Sequence, residues 1–279
     1  MLIQFAGIDG VFIIQDDCLI VGCGNSEEEA KIQHNKRLNE FLKRCEQRGV
    51  QMNIEKSEFL VEKVRYMGHV ISKEGLSADP EKVKAIVNMP APTDVNGVRR
   101  FLGMIKYLSR FSKNLSELCE PLNNLLRKDV AFMWSPLQEK AFEKIKKTLI
   151  TAPCLSHFDN NKEIVLQTDM SDSGIGGVLL QGGKPVVFVS KTWTETERRY
   201  APIEKELKAV VYCMHRLRDY CIGNHVIVHS DHKPLEAIYK KDLNKIPLRL
   251  QRMIMALQEF SYEIIYKPGS TVIIADTLS

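Results

Sequence analysis

The fold of this chain is decided by residues 168–180, which read TDMSDSGIGGVLL. Asp169 in this stretch closes an apolar run, IVLQT at 164–168, which has the length and composition of a buried strand. Two glycines at 182–183 separate the stretch from a second apolar run, VVFV at 186–189. Because paired glycines between apolar runs are a strong signal for a β-hairpin, the region predicts adjacent strands with an aspartate near the end of the first.

The pattern beyond this hairpin alternates helices and strands. We expect a helix from about 196 to 219, a strand at 225–230, two helices within 232–260 and a strand at 261–266. Three adjacent strands, followed by helices and two further strands, predict an α/β fold with helices packed on a mixed five-stranded sheet.

Four acidic residues lie where elements of this half end or begin, namely Asp169, Glu206, Asp231 and Asp276. Carboxylates at strand ends and helix starts of an α/β sheet can converge at one edge of the sheet. Converging carboxylates remain ionised only when a cation holds them, so the set points to a hard divalent metal such as Mg²⁺. Each acid taken alone is more often a helix cap or a solvated residue. Glu204 competes with Glu206 on the same helix, but only one of them can face the site because side chains two residues apart point in different directions. The phrase Glu-Leu-x-Ala, which begins at Glu206, favours Glu206.

The N-terminal half predicts short strands and helices. A hairpin is expected at 11–22, with Asp16 and Asp17 in its acidic turn. A helix should run from Ser26, which is followed by three glutamates, to about Arg48, where Gly49 stops it. Three short strands are then expected, near 51–54, 58–62 and 64–71.

A helical region is predicted at 94–150, after a helix that begins at Asp79-Pro80. The helix around 98–113 carries apolar residues on one face and four basic residues on another, which are Arg99, Lys106, Arg110 and Lys113. A solvated helix face is the simpler interpretation of such a pattern. Contact with nucleic-acid phosphates is the alternative. Ala152-Pro153 reads as a linker before the strand-rich half.

Composition sets broad limits on the class of protein. The 279 residues are 44% hydrophobic and 27% charged, with a net charge of +4, as in ordinary globular proteins. Apolar runs are only strand-length, so we expect no membrane partner. The N-terminus lacks a basic region before its apolar segment and carries Asp9, so we expect no signal peptide. Seven cysteines without a C-x-x-C pair indicate reduced thiols and therefore an intracellular protein, in the cytoplasm or the nucleus.

Several motifs carry a resemblance to one family. The C-terminal half resembles the ribonuclease H domain of gypsy-type LTR retrotransposon polyproteins through six collinear motifs: TDMSDSGIGGVLL (168–180), FVSK (188–191), ERRY with EKEL (197–207), HSDHKPL (229–235), YKPG (266–269) and ADTLS (275–279). The N-terminal half is similar to the reverse transcriptase that precedes this domain, through IQDD (14–17), YMGHVIS (66–72), FLGMIKYLSRF (101–111) and FMWS (132–135). The resemblance covers nearly the whole chain.

The resemblance implies three parts and a reaction. The parts are a partial polymerase palm at 1–90, a helical thumb or connection at 91–152 and a ribonuclease H-like domain at 153–279. It assigns catalytic and metal-ligand roles to Asp169, Glu206, Asp231 and Asp276. The reaction implied is hydrolysis of the RNA strand of an RNA–DNA hybrid by two Mg²⁺ ions about 4 Å apart, with Mn²⁺ as a substitute.

The resemblance also implies where nucleic acid binds. Within a thumb-like region, contact with phosphates becomes the better interpretation of Arg99, Lys106, Arg110 and Lys113. Gly68 and His69 lie in the stretch that resembles a primer-gripping hairpin, and a structural role for His69 is the alternative. The expected partner is an RNA–DNA hybrid or another nucleic-acid duplex.

The chain departs from the family pattern at both ends. Asp16 and Asp17 form a polymerase remnant, since only about ten residues precede their strand and a third catalytic aspartate is missing, so we expect no polymerase activity. The incomplete palm is expected to expose apolar surface and to self-associate. Ser279 ends the sequence three residues after Asp276, so this fourth ligand is expected to be loosely held. A non-catalytic nucleic-acid-binding module and an inactive retroelement relic remain as alternatives.

Overall fold

The computed structural model describes residues 7–239 and 241–268, and the chain divides into two units, Met1–Lys73 and Glu74–Ser279. Residues 7–73 of the first unit form four strands, a long helix and a 3-10 turn: β1 (Val11–Ile14), β2 (Asp17–Ile20), α1 (Glu27–Arg48), the turn Ile54–Lys56, β3 (Lys63–Tyr66) and β4 (His69–Ser72). Its small core is formed by Ile8, Ile13, Phe41 and Cys45.

The ends of α1 follow from the sequence. The Ser26 side chain accepts a hydrogen bond from the backbone N–H of Glu29, and three glutamates in the first turn face the positive end of the helix dipole. Gly49 ends the helix with a φ of 65°, a backbone conformation that costs glycine little. The predicted hairpin at 11–22 and the predicted helix from 26 to 48 are confirmed.

Two strand predictions in this unit are wrong. The expected strands near 51–54 and 58–62 do not form, because Asn53 caps a 3-10 turn and Leu60 has a φ of 53° that interrupts an extended run. The stretch expected as one strand at 64–71 is a hairpin of β3 and β4. Met67 and Gly68 form its tight turn, with φ values of 50° and 68°.

The helical part of the second unit precedes its sheet. Its elements are β5 (Gly75–Ala78), α2 (Pro80–Val87), α3 (Val95–Tyr107), the 3-10 turn Ser109–Phe111, α4 (Leu115–Leu118), α5 (Glu120–Asn124) and α6 (Pro136–Ile150). The predicted helix around 98–113 is too long, since α3 ends at Tyr107. Leu108 and Phe111 continue its buried face through the 3-10 turn, so the apolar pattern outlasts the helix.

The remaining elements build the sheet and its flanking helices. They are β6 (Ile164–Met170), β7 (Gly174–Gln181), β8 (Lys184–Thr192), α7 (Glu195–Arg198), α8 (Pro202–Arg216), α9 (Arg218–Cys221), β9 (His225–Ser230), α10 (Lys233–Tyr239), the 3-10 turn Leu243–Lys245, α11 (Leu248–Ala256) and β10 (Ser261–Tyr266). The single helix predicted at 196–219 is three helices. Pro202 starts α8 at its first turn and cannot continue α7, and Leu217, with φ of −106° and ψ of 23°, separates α8 from α9.

The sheet has five strands in the order β10-β9-β6-β7-β8. Strand β9 runs parallel to both β6 and β10, whereas β6, β7 and β8 are antiparallel neighbours. The turn between β7 and β8 uses Gly182 and Gly183, both with positive φ. The predicted α/β class, mixed five-stranded sheet and glycine hairpin are confirmed.

Both faces of this sheet are covered within the second unit. On one face, Leu179 of β7 lies in a buried cluster with Val210 of α8. On the other face, Leu180 lies in a second cluster with Phe101 of α3 and Phe142 of α6. Alternate residues of a strand point to opposite faces, so β7 joins the two cores. No helix in the described part of the chain is long and apolar enough to cross a membrane.

Candidate active site

Two of the predicted acids lie at the ends of adjacent parallel strands. Asp169 is the penultimate residue of β6, and Asp231 directly follows β9. The parallel register pairs Gln167 with His229, so the same register continued by two residues puts Asp169 level with Asp231. Parallel strands end at one edge of a sheet, which is why these two carboxylates face a common region.

Glu206 comes from the helix that packs on this sheet. It lies on the buried face of α8 and is only 3% exposed. The Ser230 hydroxyl, at the end of β9, donates a hydrogen bond of 3.5 Å to its Oε2. Burial, together with the negative charges of Asp231 and Asp169, raises the pKa of Glu206 to about 7. The three acids therefore form one electrostatic group.

Glu204 does not belong to this group. Its carboxylate accepts a hydrogen bond of 3.0 Å from the backbone N–H of Ala201 at the start of α8. The same carboxylate forms an ion pair of 2.8 Å with Arg249 of α11. Of the two glutamates, Glu206, which the sequence favoured, is the one that interacts electrostatically with Asp169 and Asp231.

Asp169 has a cationic neighbour that sequence reasoning missed. The Lys113 ammonium lies 2.6 Å from Asp169 Oδ2. Lys113 belongs to the link between the 3-10 turn Ser109–Phe111 and α4, far from Asp169 in sequence. The signal in the sequence was Gly176, which lies opposite Asp169 in the β6–β7 register, because a glycine inside a strand often marks the close approach of another segment.

Carboxylate oxygens suit a hard cation, and a cation beside Glu206 would offset the negative charges of Asp231 and Asp169 that raise its pKa. Among residues 7–239 and 241–268, however, no three acidic, histidine or cysteine side chains are gathered closely enough to hold a metal ion. Asp276, the predicted fourth ligand, lies outside the described residues. The donor chemistry of Asp169, Glu206 and Asp231 fits Mg²⁺, and binding of that ion stays a prediction.

The four basic residues predicted to contact nucleic acid do not share one helix face. Arg99 and Lys106 are exposed on α3, Arg110 lies in the following 3-10 turn, and Lys113 lies beyond it at Asp169. This arrangement corrects the predicted single stripe, since its spacing assumed a helix that reaches residue 113. Contact of these side chains with phosphates stays a prediction.

The predicted residues of the first unit lie in its two hairpins. Asp16 is in the β1–β2 turn and Asp17 begins β2, and both are exposed. Gly68 is in the β3–β4 turn, whereas His69 begins β4 and is buried. Their roles in a polymerase remnant and in a nucleic-acid grip stay predictions.

Comparison with known proteins assigns a family to part of the chain. The family model for an RNase H-like domain found in reverse transcriptase matches residues 134–228. This range includes Asp169 and Glu206 and ends before Asp231. A retrovirus-related Pol polyprotein from transposon 297 of Drosophila melanogaster is 35% identical over 231 residues, which are 82% of this chain and 22% of the relative.

Further relatives extend the similarity over nearly the whole chain. The transposon Tf2-3 polyprotein of Schizosaccharomyces pombe is 33% identical over 276 residues, which are 96% of this chain and 20% of the relative. The chain thus spans about a fifth to a quarter of the length of the curated relatives that it matches.

Two solved structures of a foamy viral protease-reverse transcriptase share the fold. The dRH form in complex with double-stranded DNA gives a TM-score of 0.82 at 22% identity, covering 95% of this chain and 47% of that one. The form in complex with an RNA/DNA hybrid gives a TM-score of 0.80 at 21% identity, covering 96% of this chain and 37% of that one.

Proposed function

Since the homologues of this chain are Pol polyproteins of LTR retrotransposons, and the chain is a partial Pol region with an RNase H-like domain, we propose that it is a metal-dependent endonuclease that cuts the RNA strand of RNA–DNA hybrids. The observation that carries this proposal is the placement of Asp169 and Asp231 at level strand ends with the buried Glu206 facing both. Helix capping alone does not account for three acidic side chains at one edge of the sheet.

The acids would hold the metal ions of the proposed reaction from two sides. Asp169 and Asp231, at the strand ends, would hold divalent cations from the sheet side, and Glu206 from the helix side. When bound, two Mg²⁺ ions supply activation of a water molecule and stabilisation of the leaving oxygen. The Ser230 hydroxyl orients the Glu206 carboxylate through its hydrogen bond to Oε2. In the metal-free protein, Glu206 holds a proton up to about pH 7.

The expected substrate is a duplex with an RNA strand. A foamy viral protease-reverse transcriptase with this fold has been solved with both double-stranded DNA and an RNA/DNA hybrid. RNA is distinguished from DNA by its 2′-hydroxyl groups across the minor groove, so we expect selectivity for the RNA strand without base readout.

All seven cysteines carry free thiols, which suits the reducing interior of a cell.

We expect no RNA-directed DNA polymerase activity from the first unit alone. Asp16 and Asp17 are exposed in a two-stranded hairpin, and no third acidic side chain in the described residues joins them as a metal site. Two carboxylates form a weak site for the metals that phosphoryl transfer needs.

A second function, nucleic-acid binding without catalysis, is favoured by two observations. The Lys113 ammonium forms an ion pair with the Asp169 carboxylate. In the described part of the chain, no three acidic side chains lie close enough together to hold a metal ion. If this arrangement persisted in solution with Mg²⁺, the acids would serve the fold and the basic residues would serve binding.

The test uses a hybrid with a fluorescent label on each strand, incubated with the full chain and Mg²⁺. Cleavage should be confined to the RNA strand and should fall more than about 100-fold in Asp169→Asn, because even residues that only support a metal ligand are worth ten- to hundredfold. Asp172→Asn is the matched control, since this exposed aspartate lies three residues away in the turn after β6.

Affinity for the same hybrid, followed by fluorescence anisotropy, separates the two functions. A nuclease should retain its hybrid affinity in Asp169→Asn while losing its rate. Absence of cleavage by the folded wild-type chain, with hybrid binding unchanged by Asp169→Asn, would support the binding module and reject the nuclease.

A further inference from the structure

We propose that Lys113 is the built-in counter-ion of Asp169 in the metal-free protein, and that it competes with a divalent cation for this carboxylate. This inference rests on the proposed function, because it concerns the same acidic site. It assigns to Lys113 a positioning role that regulates occupancy of the site.

The contact is a close and partly buried ion pair. Lys113 Nζ lies 2.6 Å from Asp169 Oδ2, and the Lys113 side chain is 26% exposed against 47% for that of Asp169. Lysine side chains on a protein surface usually keep their ammonium groups in water. The stem of Lys113 is instead directed across the sheet to the end of β6.

The path of that stem depends on a missing side chain in β7. Gly176 pairs with Asp169 in the β6–β7 register, so it lies beside the carboxylate that Lys113 reaches. A Cβ atom at position 176 would lie 2.9 Å from Lys113 Cγ and 3.2 Å from Lys113 Cε. Real Cβ atoms rarely have contacts this short, so the glycine leaves the space that the lysine fills.

Contacts on both sides of Lys113 anchor its segment to the sheet. Before it, Phe111 and Ser112 are buried. After it, the Ser116 backbone N–H donates a 3.2 Å hydrogen bond to Ser190 Oγ, and the two hydroxyl groups are 2.8 Å apart. Ser190 of β8 pairs in register with Gly176 of β7, so the anchor lies beside the lysine's path.

A third contact ties the segment to the turn after Asp169. The Ser173 hydroxyl donates a hydrogen bond of 2.6 Å to Glu117 Oε1. Lys113 therefore lies in a segment bound at β8 and at the β6–β7 turn. This fixed backbone brings the ammonium back to the same carboxylate whenever it is displaced.

Charge decides the direction of the effect. The carboxylates of Asp169 and Asp231 make the metal-free site negative, and the ammonium offsets part of that charge. A divalent cation on the same Asp169 carboxylate would place two positive centres within a few ångströms, and like charges at this range repel. Cation binding therefore requires Lys113 to leave Asp169, which weakens the observed metal affinity.

The experiment is a Mn²⁺ titration of the full chain, in which electron paramagnetic resonance measures the free ion and no substrate is present. Asp169→Asn defines the binding that belongs to this site. In Lys113→Met, which keeps the length of the stem without the charge, Mn²⁺ should bind about three- to tenfold more tightly. Lys113→Arg keeps the charge and should bind Mn²⁺ nearly as the wild type does.

Lys144→Met is the matched control, because Lys144 is an exposed lysine on α6. Its Mn²⁺ affinity should equal that of the wild type. Affinity that is unchanged or weaker in Lys113→Met, with site-specific binding in the wild type, would overturn the competition and leave the proposed nuclease intact. No Mn²⁺ binding in any variant would overturn both proposals.

Discussion

The Ser230 hydroxyl donates a hydrogen bond to Glu206 Oε2 across the junction of β9 and α8, and both side chains are buried. This hydrogen bond favours the ionised carboxylate. Burial and the neighbouring charges of Asp231 and Asp169 outweigh it, so the pKa of Glu206 rises from 4.5 to about 7. A group whose protonation differs between the folded and unfolded states makes stability depend on pH.

The first prediction is a loss of stability as pH rises from about 4.5 to 7 in the metal-free protein. The unfolded chain releases the Glu206 proton near pH 4.5, whereas the folded chain keeps it until about pH 7. The folded state thus binds more protons over this interval, and its free energy of unfolding falls by up to about 3 kcal/mol from this group. Urea denaturation with EDTA at pH 5, 7 and 8 measures the change.

Glu206→Gln should remove that part of the pH dependence and unfold at higher urea than the wild type at pH 8. Glu204→Gln, on the same helix, should retain the fall because it leaves Glu206 in place. Both tryptophans, Trp134 and Trp193, lie in the second unit, so their fluorescence follows the unit that contains the site. Equal pH dependence in the wild type and Glu206→Gln would contradict the assignment.

The second prediction concerns Gly176. In Gly176→Ala, the new Cβ would overlap the stem of Lys113, and the backbone oxygen of Lys113 at 3.3 Å leaves little room for adjustment. Overpacking of this kind costs about 1–3 kcal/mol of stability. The ammonium should also be displaced from Asp169, so Mn²⁺ should bind more tightly although every charge is retained. Gly103→Ala is the control, since a Cβ there meets no atom within 4 Å.

The third prediction is that the sheet needs the helices before it. Phe188 of β8 lies in the same buried cluster as Phe101 of α3 and Phe142 of α6. A fragment of residues 74–279 should therefore unfold cooperatively, whereas a fragment of residues 153–279 should expose this face and bind a hydrophobic dye. Within the full chain, Phe188→Ala should cost about 3–5 kcal/mol. A cooperative, dye-free 153–279 fragment would disprove the dependence.

The sequence predicted the sheet well because its signals are local. Strands β6 to β8 are apolar runs punctuated by Gly182 and Gly183, and such patterns need no knowledge of distant residues. The division of α7 from α8 was also readable, since Pro202 is a typical first-turn residue, and the longer predicted helix overlooked it. The end of α3 was not readable, because Leu108 and Phe111 keep the helical apolar spacing through a 3-10 turn.

The site was predictable in part for the same reason. The acids at strand ends follow from local patterns, and the choice of Glu206 over Glu204 followed the motif that resembles the family. The ion pair of Lys113 with Asp169 could not be derived, because it joins segments 56 residues apart. Gly176 signals only that another segment approaches β7 closely, without identifying that segment. The spacing of the basic residues on a predicted single helix indicated instead that Lys113 contacts a phosphate.

The last prediction is self-association through the first unit. Phe59, Leu60 and Val61 are contiguous and 55%, 60% and 47% exposed, and Ile54 nearby is 77% exposed. Contiguous apolar surface of this kind favours association in water. Light scattering after size-exclusion chromatography should show a mass above 31.9 kDa that rises with protein concentration. Phe59→Ser combined with Leu60→Asn should lower it, since asparagine tolerates the positive φ at position 60.

Leu137→Ser removes a leucine of equal exposure, 61%, from the second unit and should leave the mass unchanged. A concentration-independent monomer in the wild type would refute the association, because it would show that this exposed run does not bind another chain.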